Sequence, residues 1–497
     1  RDSSATRIGQ NGLIQTVGYF GNNLVTNGDF ATDSDWTKGS DWTISGGKGN
    51  LALSDNPTNS TLTSTGLVLD ASKTYLISYN ISNYVSGGLA FVTGNISIPS
   101  TNGFHKFEYT GQTNFSIKRF GGATKLSIDN ISIKEVTGDQ PRLNYDISNG
   151  VVQSCPSLLL EPASTNLITY SEDFSNAYWV KNNSAVTSGF VSPEGTTSAY
   201  KLIEDTSNTT HKLWAQETTL AATYSFSLFA KAGERRRIGL RDNQVGNNAI
   251  FDLISGTVVS GSGSIVALTN GYYRISLTGT YAAAGTRHEI YILEDSATSI
   301  TAAYQGDGTS GVYIWGAQLE EQSYATSYIP NFGQSAGVTR AAETCNDAGT
   351  SSTFNSTEGV LYAEISALAL AGGDSRISLS DSTLNNRISF AYSPTASKGY
   401  IIVKINGVSV INNLNVEIGN HLDIKKIAIS YKSGDTKVFL NGVELSIASS
   451  VSFSGGVLND LSFESANSSV KFYGNVKDIR VFNEALTDLQ LQKLTTL

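Results

Sequence analysis

Four histidines, His105, His211, His288 and His421, stand in a chain of 497 residues, and their spacing builds no metal centre. None falls in an HExxH or similar ligand pattern. His105 (in FHKFEY) and His288 (followed by Glu289) lie in alternating stretches and read as surface strand residues. There is no GxSxG elbow, and the glycine clusters sit between strand signals, where hairpin turns explain them better than phosphate binding. Glycoside hydrolysis needs two carboxylates about 5 to 9.5 Å apart. Glu320 and Glu321 are adjacent in a strand and so point to opposite faces, while Glu108, Glu289 and Glu364 show no partner in the sequence. The expectation is a chain with no catalytic residues. ERRR (234–237) is the one local basic run; it reads either as a solvated strand edge or as a site for an anionic sugar.

Aromatic rings serve a sugar site because their faces stack on the apolar faces of pyranoses. Trp36 and Trp179 follow Asp-Phe at matching places in two similar segments, NLVTNGDFATDSDWTK from Asn23 and NLITYSEDFSNAYWVK from Asn166. A position used twice indicates core packing, and Trp315 in VYIWGAQL also reads as core. Trp42 and Trp214 have no counterpart and lie near polar loops. With Tyr84 and Tyr178 they are the sugar-stacking candidates, the alternative being partial burial at a sandwich rim.

The elements that would carry these residues are strands. KTYLISYNIS (73–82) parallels ATYSFSLFAK (222–231), GFHKFEYTG (103–111) parallels GYYRISLTG (271–279), and LSIDNISIKEV (126–136) parallels VYIWGAQLEEQ (312–322). Four landmarks recur in one order, so a whole unit is repeated. The offset grows from 143 residues (23 to 166) to 186 (126 to 312), so the second copy carries longer loops. Tyr75, Ile77, Tyr79 and Ile81 alternate cleanly, and the register slip in LSIDNISIKEV predicts a bulge near Asp129–Asn130. From about Gly359 the pattern changes. IAISYKSGDTKVFLNGVEL predicts a hairpin ending at Asn441-Gly442, and KDIRVFNEALTDLQLQKL predicts a strand, then a short helix capped by Thr487. Leu486, Leu489, Leu491 and Leu494 would form its apolar face. The fold class is all-β: three β-sandwich (jelly-roll) units. Their bounds are 1–20 (N-terminal segment), 21–138 (first unit), 139–342 (second unit), 343–354 (linker) and 355–497 (third unit).

Composition narrows the partners. Charged residues are 15% of the chain and the net charge is −9, which argues against nucleic acid and against anionic membrane surfaces. No apolar run reaches the roughly 18 residues of a membrane span. Residues 1–20 lack the apolar core of a signal peptide, and with no Met anywhere the expectation is that further residues precede Arg1. Cys155 and Cys345 flank the middle third and read as two free buried thiols or a clasp.

Three resemblances follow from these words. NLVTNGDF…W with IDNISIKEV, over about 22–136, resembles the jelly-roll carbohydrate-binding modules appended to polysaccharide-degrading enzymes. That resemblance implies a structural calcium site, with Asp29 and Asp129 at the matching positions. Ala31 stands where the family often has Glu, and the two aspartates read equally as a turn cap and a bulge residue. Residues 355–494 resemble a laminin-G/concanavalin-like sandwich through their "NGV … IRVFN-AL" phrase. RDSSATRIGQNGLIQTV (1–17), PRLNYDISNGVVQSCPSLLLEPASTNLITYSEDFSNAYWVK (141–181) and GDGTSGVYIWGAQLEEQSYATSYIPNFGQSAGVTRAAE (306–343) resemble tailed-bacteriophage tail, fibre and minor virion structural proteins. The first two are close together in that family; here the first repeat separates them, so the resemblance implies that the first unit (21–138) is inserted into the second, with 1–20 as the N-terminal segment of the framing unit. The resemblance implies a virion protein that binds glycans non-catalytically, contacts other virion proteins and forms a homo-oligomer, commonly a trimer. A secreted polysaccharide-degrading enzyme and a bacterial adhesin are the competing expectations.

Overall fold

A computed structural model describes residues 5–17, 19–54, 60–138, 141–148, 150–368, 375–393, 395, 397–445, 451–466 and 469–497. The architecture is all-β, as expected. Among the described residues the single α-helix is Asp488–Thr495, with one short 3-10 turn at Thr93–Asn95. Three large apolar clusters organise the strands. One gathers residues from Val25 to Ile133, the next from Ile168 to Leu319, and the third joins Leu160 to residues from Phe354 to Val476.

The repeat seen in the sequence is a repeat of sheet topology. In the first sandwich the strand order is Gly103–Thr110, Thr74–Phe91, Ser116–Gly138, Lys48–Ser54, Trp42–Ser45. In the second it is Tyr273–Tyr281, Ala222–Ala232, Gly311–Glu320, Ala199–Glu204, Ser184–Phe190, with Gly263–Ala267 added at the edge. Each sequence landmark occupies the same place in its sheet. The expected bulge is there too. Asn130 adopts φ 53°, and the partner register slips between Asp129 and Ser132. The second copy has the same slip between Ser227 and Phe229 on the partner strand, around Gly316 with φ 62°. A left-handed residue is what such a bulge requires, and Asn and Gly are the types that tolerate it.

The two tryptophans after Asp-Phe superpose in their contacts. Trp36 packs 4.9 Å from Phe30 at 40°, and Trp179 packs 5.0 Å from Phe174 at 41°. Each indole N–H donates to a carbonyl nine residues upstream, Asn27 at 3.0 Å and Tyr170 at 2.8 Å. Both rings are buried, as the repeated position predicted.

The ends of the first sandwich meet. The strand Tyr19–Asn23 runs antiparallel to the last residues of Ser116–Gly138, with Phe20 opposite Val136 and Tyr19 opposite Gly138. Inserted units are tolerated where their ends lie together. Excising 21–138 and joining the flanks is expected to leave a folded chain with a cooperative melt, read by scanning calorimetry; aggregation of the remainder would defeat the nested reading.

The third sandwich packs one seven-stranded sheet on one of five strands. Its hairpin has the expected register, Ile427 opposite Leu440 and Ile429 opposite Val438, and Asn441 (φ 49°) and Gly442 (φ 80°) supply the two left-handed residues of the next turn, into Val443–Leu445. Thr487 caps the helix in a reciprocal capping box with Gln490. Leu491 is fully buried and Leu486 and Leu494 pack beside it, but Leu489 is 59% exposed and so is not part of the apolar face expected of it. The structure adds a connection that the sequence did not announce. Ser157–Leu160 pairs with Gly474–Phe482 and with Leu143–Asn144, so these two strands extend the third sandwich's sheet instead of the second's. Cys155 is exposed and Cys345 partly buried, and neither is in a disulfide.

Candidate functional site

What the framing words do becomes visible first. Arg142 (of PRLNYD), Glu161 (of LLLEP), Arg340 and Glu343 (of VTRAAE) converge in a dry ionic hub. Arg142 pairs with Glu161 at 2.7 Å and with Glu343, and Arg340 pairs with Glu161 at 2.8 Å. Arg142 also donates to the Thr6 carbonyl at 3.1 Å, and Glu161 accepts from the Ser327 amide at 2.9 Å. Both guanidinium side chains are 0% exposed. Burial alone would raise the Glu161 carboxyl, but Arg142 and Arg340 hold it down to about 2. Nearby, Glu320 accepts from Ser164, Thr326 and Gln318. These residues fix the framing segments to one another.

The framing segments also cover one face of the second sandwich. Phe229 and Trp315 are buried beneath Ile14, Tyr272 and Tyr328. Alongside runs a cross-strand row, Thr187, Lys201, Tyr313 and Lys231, defined by direct pairing. The chain itself occupies this row. Phe190 packs 4.9 Å from Tyr313, Lys201 pairs with Glu234 at 2.7 Å, and Lys231 lies 5.8 Å from the Tyr272 ring centre.

In the first sandwich the equivalent row is Thr43, Asn50, Ser127 and Ser82; Lys48 donates to the Ser82 hydroxyl at 2.8 Å, and the other three stay open. Thr43, Asn50 and Ser127 line a shallow trough of about 520 Å³ whose rim includes Asn83, Tyr84, Val85 and Lys125. The polar groups are pre-ordered. Ser127 Oγ donates to Asn50 Oδ1 at 2.7 Å and accepts from Asn83 Nδ2 at 3.1 Å. Tyr84 is half-buried, and its hydroxyl donates to the Gly87 carbonyl at 3.0 Å, which holds the ring at the trough wall. Amides, hydroxyls, one aromatic and one exposed ammonium make a surface suited to hydroxyl-rich, weakly bound ligands.

The structure separates the sequence candidates. Trp42 is 3% exposed and belongs to the first core, its N–H directed at the Ser60 carbonyl, so it is not available to a sugar. The strand Trp42–Ser45 turns Thr43 outward instead, because successive side chains alternate. Tyr84 lines the trough. Tyr178 is half-buried between Tyr170 and Trp179, and its hydroxyl donates to Glu217; the carboxylate and the burial push it above the ordinary tyrosine range. That ring is committed to the rim of the second core, not to a ligand. Trp214 lies on the opposite face of the strand His211–Thr219 from Glu217, half-exposed, so Tyr178 and Trp214 do not share a site. Asp29 is exposed and accepts from the Ala31 amide at 3.4 Å. Asp129, at the bulge, accepts from Asn130 at 2.8 Å and lies 3.7 Å from the Lys48 ammonium. Each aspartate thus has a local partner, and among the described residues no group of three or more His, Cys, Asp or Glu gathers around a metal position.

Two further sequence expectations change. His288 is not a surface residue but lies in the second core against Phe226 and Tyr281, where burial lowers it to about 3. ERRR is neither a solvated edge nor an open anion site: Arg235 forks onto Glu204 at 2.8 and 2.6 Å, Arg236 pairs with Asp252, and Arg237 donates to the Ala297 carbonyl. Asn50, Asn83 and Ser127 were missed because amides and hydroxyls at strand positions carry no spacing signal.

No family model matches the sequence, and no curated protein matches it. Among solved structures, the chain is similar to the CBM22 tandem domain of Paenibacillus barcinonensis Xyn10C (13% identity, 62% of this chain and 98% of that one, TM-score 0.22). It is also similar to domains LG4-5 of the mouse laminin α1 chain (10% identity, 64% and 96%, TM-score 0.19). A Trypanosoma rangeli sialidase is similar over 99% of this chain and 96% of its own, at 10% identity and TM-score 0.24. At these identities and TM-scores the likenesses bear on neither ligand nor chemistry.

Proposed function

We propose that the chain is a non-catalytic glycan-binding component of a phage particle, a tail or head fibre protein that presents its first sandwich to surface sugars. The observation that carries the binding is the open row Thr43–Asn50–Ser127 with Tyr84 at its wall, where the second sandwich fills the equivalent row with its own side chains. The likeness of the framing words to fibre proteins supports the particle. Its further partners are then other virion proteins and copies of itself, in a symmetric assembly that is commonly a trimer.

A trough with one ring and a few hydrogen bonds gives weak binding, because sugar hydroxyls surrender good bonds to water. Millimolar to high-micromolar affinity corresponds to about −4 to −6 kcal/mol. Several linked copies then gain roughly 10²–10⁴ in avidity. The test is a glycan array read together with mass analysis of the incubated glycans. Binding without new reducing ends is expected, and Tyr84→Ala and Asn50→Ala should each weaken it about tenfold or more, since each removes contacts worth a kcal/mol or two. Unaltered binding in both variants would place the ligand elsewhere, and turnover of any glycan would replace the fibre reading with the enzyme one.

A further inference from the structure

A second, chemically different surface lies on the other sheet of the second sandwich. There the outward side chains of four neighbouring strands form a row, Trp214, Glu289, Arg241 and Asn248, each paired directly with the next. Arg287 lies on the same strand and face as Glu289, and its guanidinium is stacked 5.2 Å from the Trp214 ring centre. Lys212 lies on the same strand and face as Trp214. Three cations therefore surround a single carboxylate. Glu289 is held by Lys212 at 2.9 Å and by the Tyr291 hydroxyl at 2.8 Å. Arg241 is 3.8 Å from it, an ion pair without a hydrogen bond. The Arg287 side chain has no carboxylate and no hydrogen-bond acceptor among the described residues, its ring contact being with Trp214 alone.

The far end of this sheet face is closed. Ile300 sits over Gly239, and Ile250, Tyr291 and Leu293 pack with Ala297 and Ile300. The half that carries Trp214, Arg241 and Arg287 has no such cover; all three are half-exposed. Arg236 and Arg237, by contrast, are spent on Asp252 and on the Ala297 carbonyl. So in a chain of net charge −9, two guanidiniums face outward with unmet donors, one of them lying over an indole.

We propose that Trp214, Arg241 and Arg287 form a binding site for acidic polysaccharide, with the two guanidiniums taking the carboxylate or sulfate of successive sugars. Guanidinium forks match the oxygen geometry of both anions. Neighbouring strands are about 4.8 Å apart, so Trp214 and Arg241, two strands away from each other, are about 10 Å apart across the sheet, a separation that successive residues of a sugar chain can bridge. Trp214 is here a positioning residue: Arg287 occupies its ring, and the indole orients the guanidinium rather than stacking on the sugar. The site rests on none of the residues of the trough in the first sandwich.

The test is affinity electrophoresis of the full chain in gels containing polygalacturonate, dextran sulfate or neutral dextran. Retardation by one or both acidic polymers and none by dextran is expected, polygalacturonate alone indicating a carboxylate ligand and dextran sulfate alone a sulfate. Arg241→Gln and Arg287→Gln should each weaken the retardation about tenfold, since each removes hydrogen bonds to a charged group. Lys493→Gln, on the exposed side of the helix, should change nothing. Tyr84→Ala should retain acidic-polymer binding, which separates failure of this site from failure of the trough. The proposal is overturned if no acidic polymer retards the chain, if dextran does so equally, or if Lys493→Gln costs as much as the arginine variants. Trp214→Phe reports the positioning role: it should keep the melting temperature but lose part of the retardation, and full retention would remove Trp214 from the site.

Discussion

Glu161→Gln is expected to cost about 3–5 kcal/mol of stability, because it removes the carboxylate shared by two buried guanidiniums, leaving Arg340 without its ion-pair partner and Arg142 with Glu343 alone. Arg142→Met should do comparable damage from the other side, leaving Glu161 and Glu343 together without their common partner. The cost is large because the hub is dry and because its members come from distant parts of the chain. Arg142 reaches the Thr6 carbonyl and Ser327 Oγ, Glu161 takes the Ser327 amide, and Arg340 donates to the Pro162 carbonyl at 2.8 Å. The same carboxylate sets an acid limit. Its folded value, about 2, lies below the ordinary 4.5, so its contribution is complete above pH 4.5, falls as the pH drops from 4.5 towards 2, and is absent below that. Urea unfolding at pH 7 and at pH 3 measures both effects. Glu161→Gln should flatten the pH dependence in that window as well as lower the midpoint. A loss under about 1 kcal/mol at pH 7 would mean that water reaches the hub and that it is an ordinary surface pair.

The sequence was informative where structure depends on periodicity and turn chemistry. Tyr75, Ile77, Tyr79 and Ile81 alternate, and all four are in the core. Asn441-Gly442 and the slip at Asn130 are local demands on φ, so a single residue type could announce them. It was poor where exposure depends on what crosses above a strand. Trp42 and Trp214 look alike in the sequence, each beside polar neighbours. One faces the core through the alternation of its strand, and the other faces outward beneath an arginine brought from a strand more than seventy residues later. The ionic hub was invisible for the same reason. Arg142 and Glu161 belong to one framing segment and Arg340 and Glu343 to another, nearly two hundred residues on, and only the closed fold brings the two segments together. Ser157–Leu160 gave no sign of its sheet, since a short apolar run fits either sandwich until its partner strand is known.

Trp36→Ala and Trp179→Ala are expected to cost about 3–5 kcal/mol each, the range for removing a buried tryptophan, and to act on different cores. The argument rests on their matched geometry. Each ring is buried, packs about 5 Å from the Phe of its Asp-Phe pair and donates to a carbonyl nine residues upstream. Trp36 also meets Phe115 edge-on at 6.2 Å, and Trp179 meets Tyr178 edge-on at 5.6 Å. Truncation thus removes packing and strands a carbonyl in both sandwiches. If the first sandwich is a unit inserted into the second, Trp36→Ala should lower one calorimetric transition and leave the other in place, while Trp179→Ala does the reverse. The double variant should then add the two losses, because residues in separate cores share no partner. Trp214→Ala is the internal control: half-exposed on an outer face, it should cost less than either. Should Trp36→Ala shift both transitions together, the two sandwiches fold as one cooperative body through contacts such as Phe107–Phe332 and Lys106–Glu194, and the first could not have been acquired as an independent module.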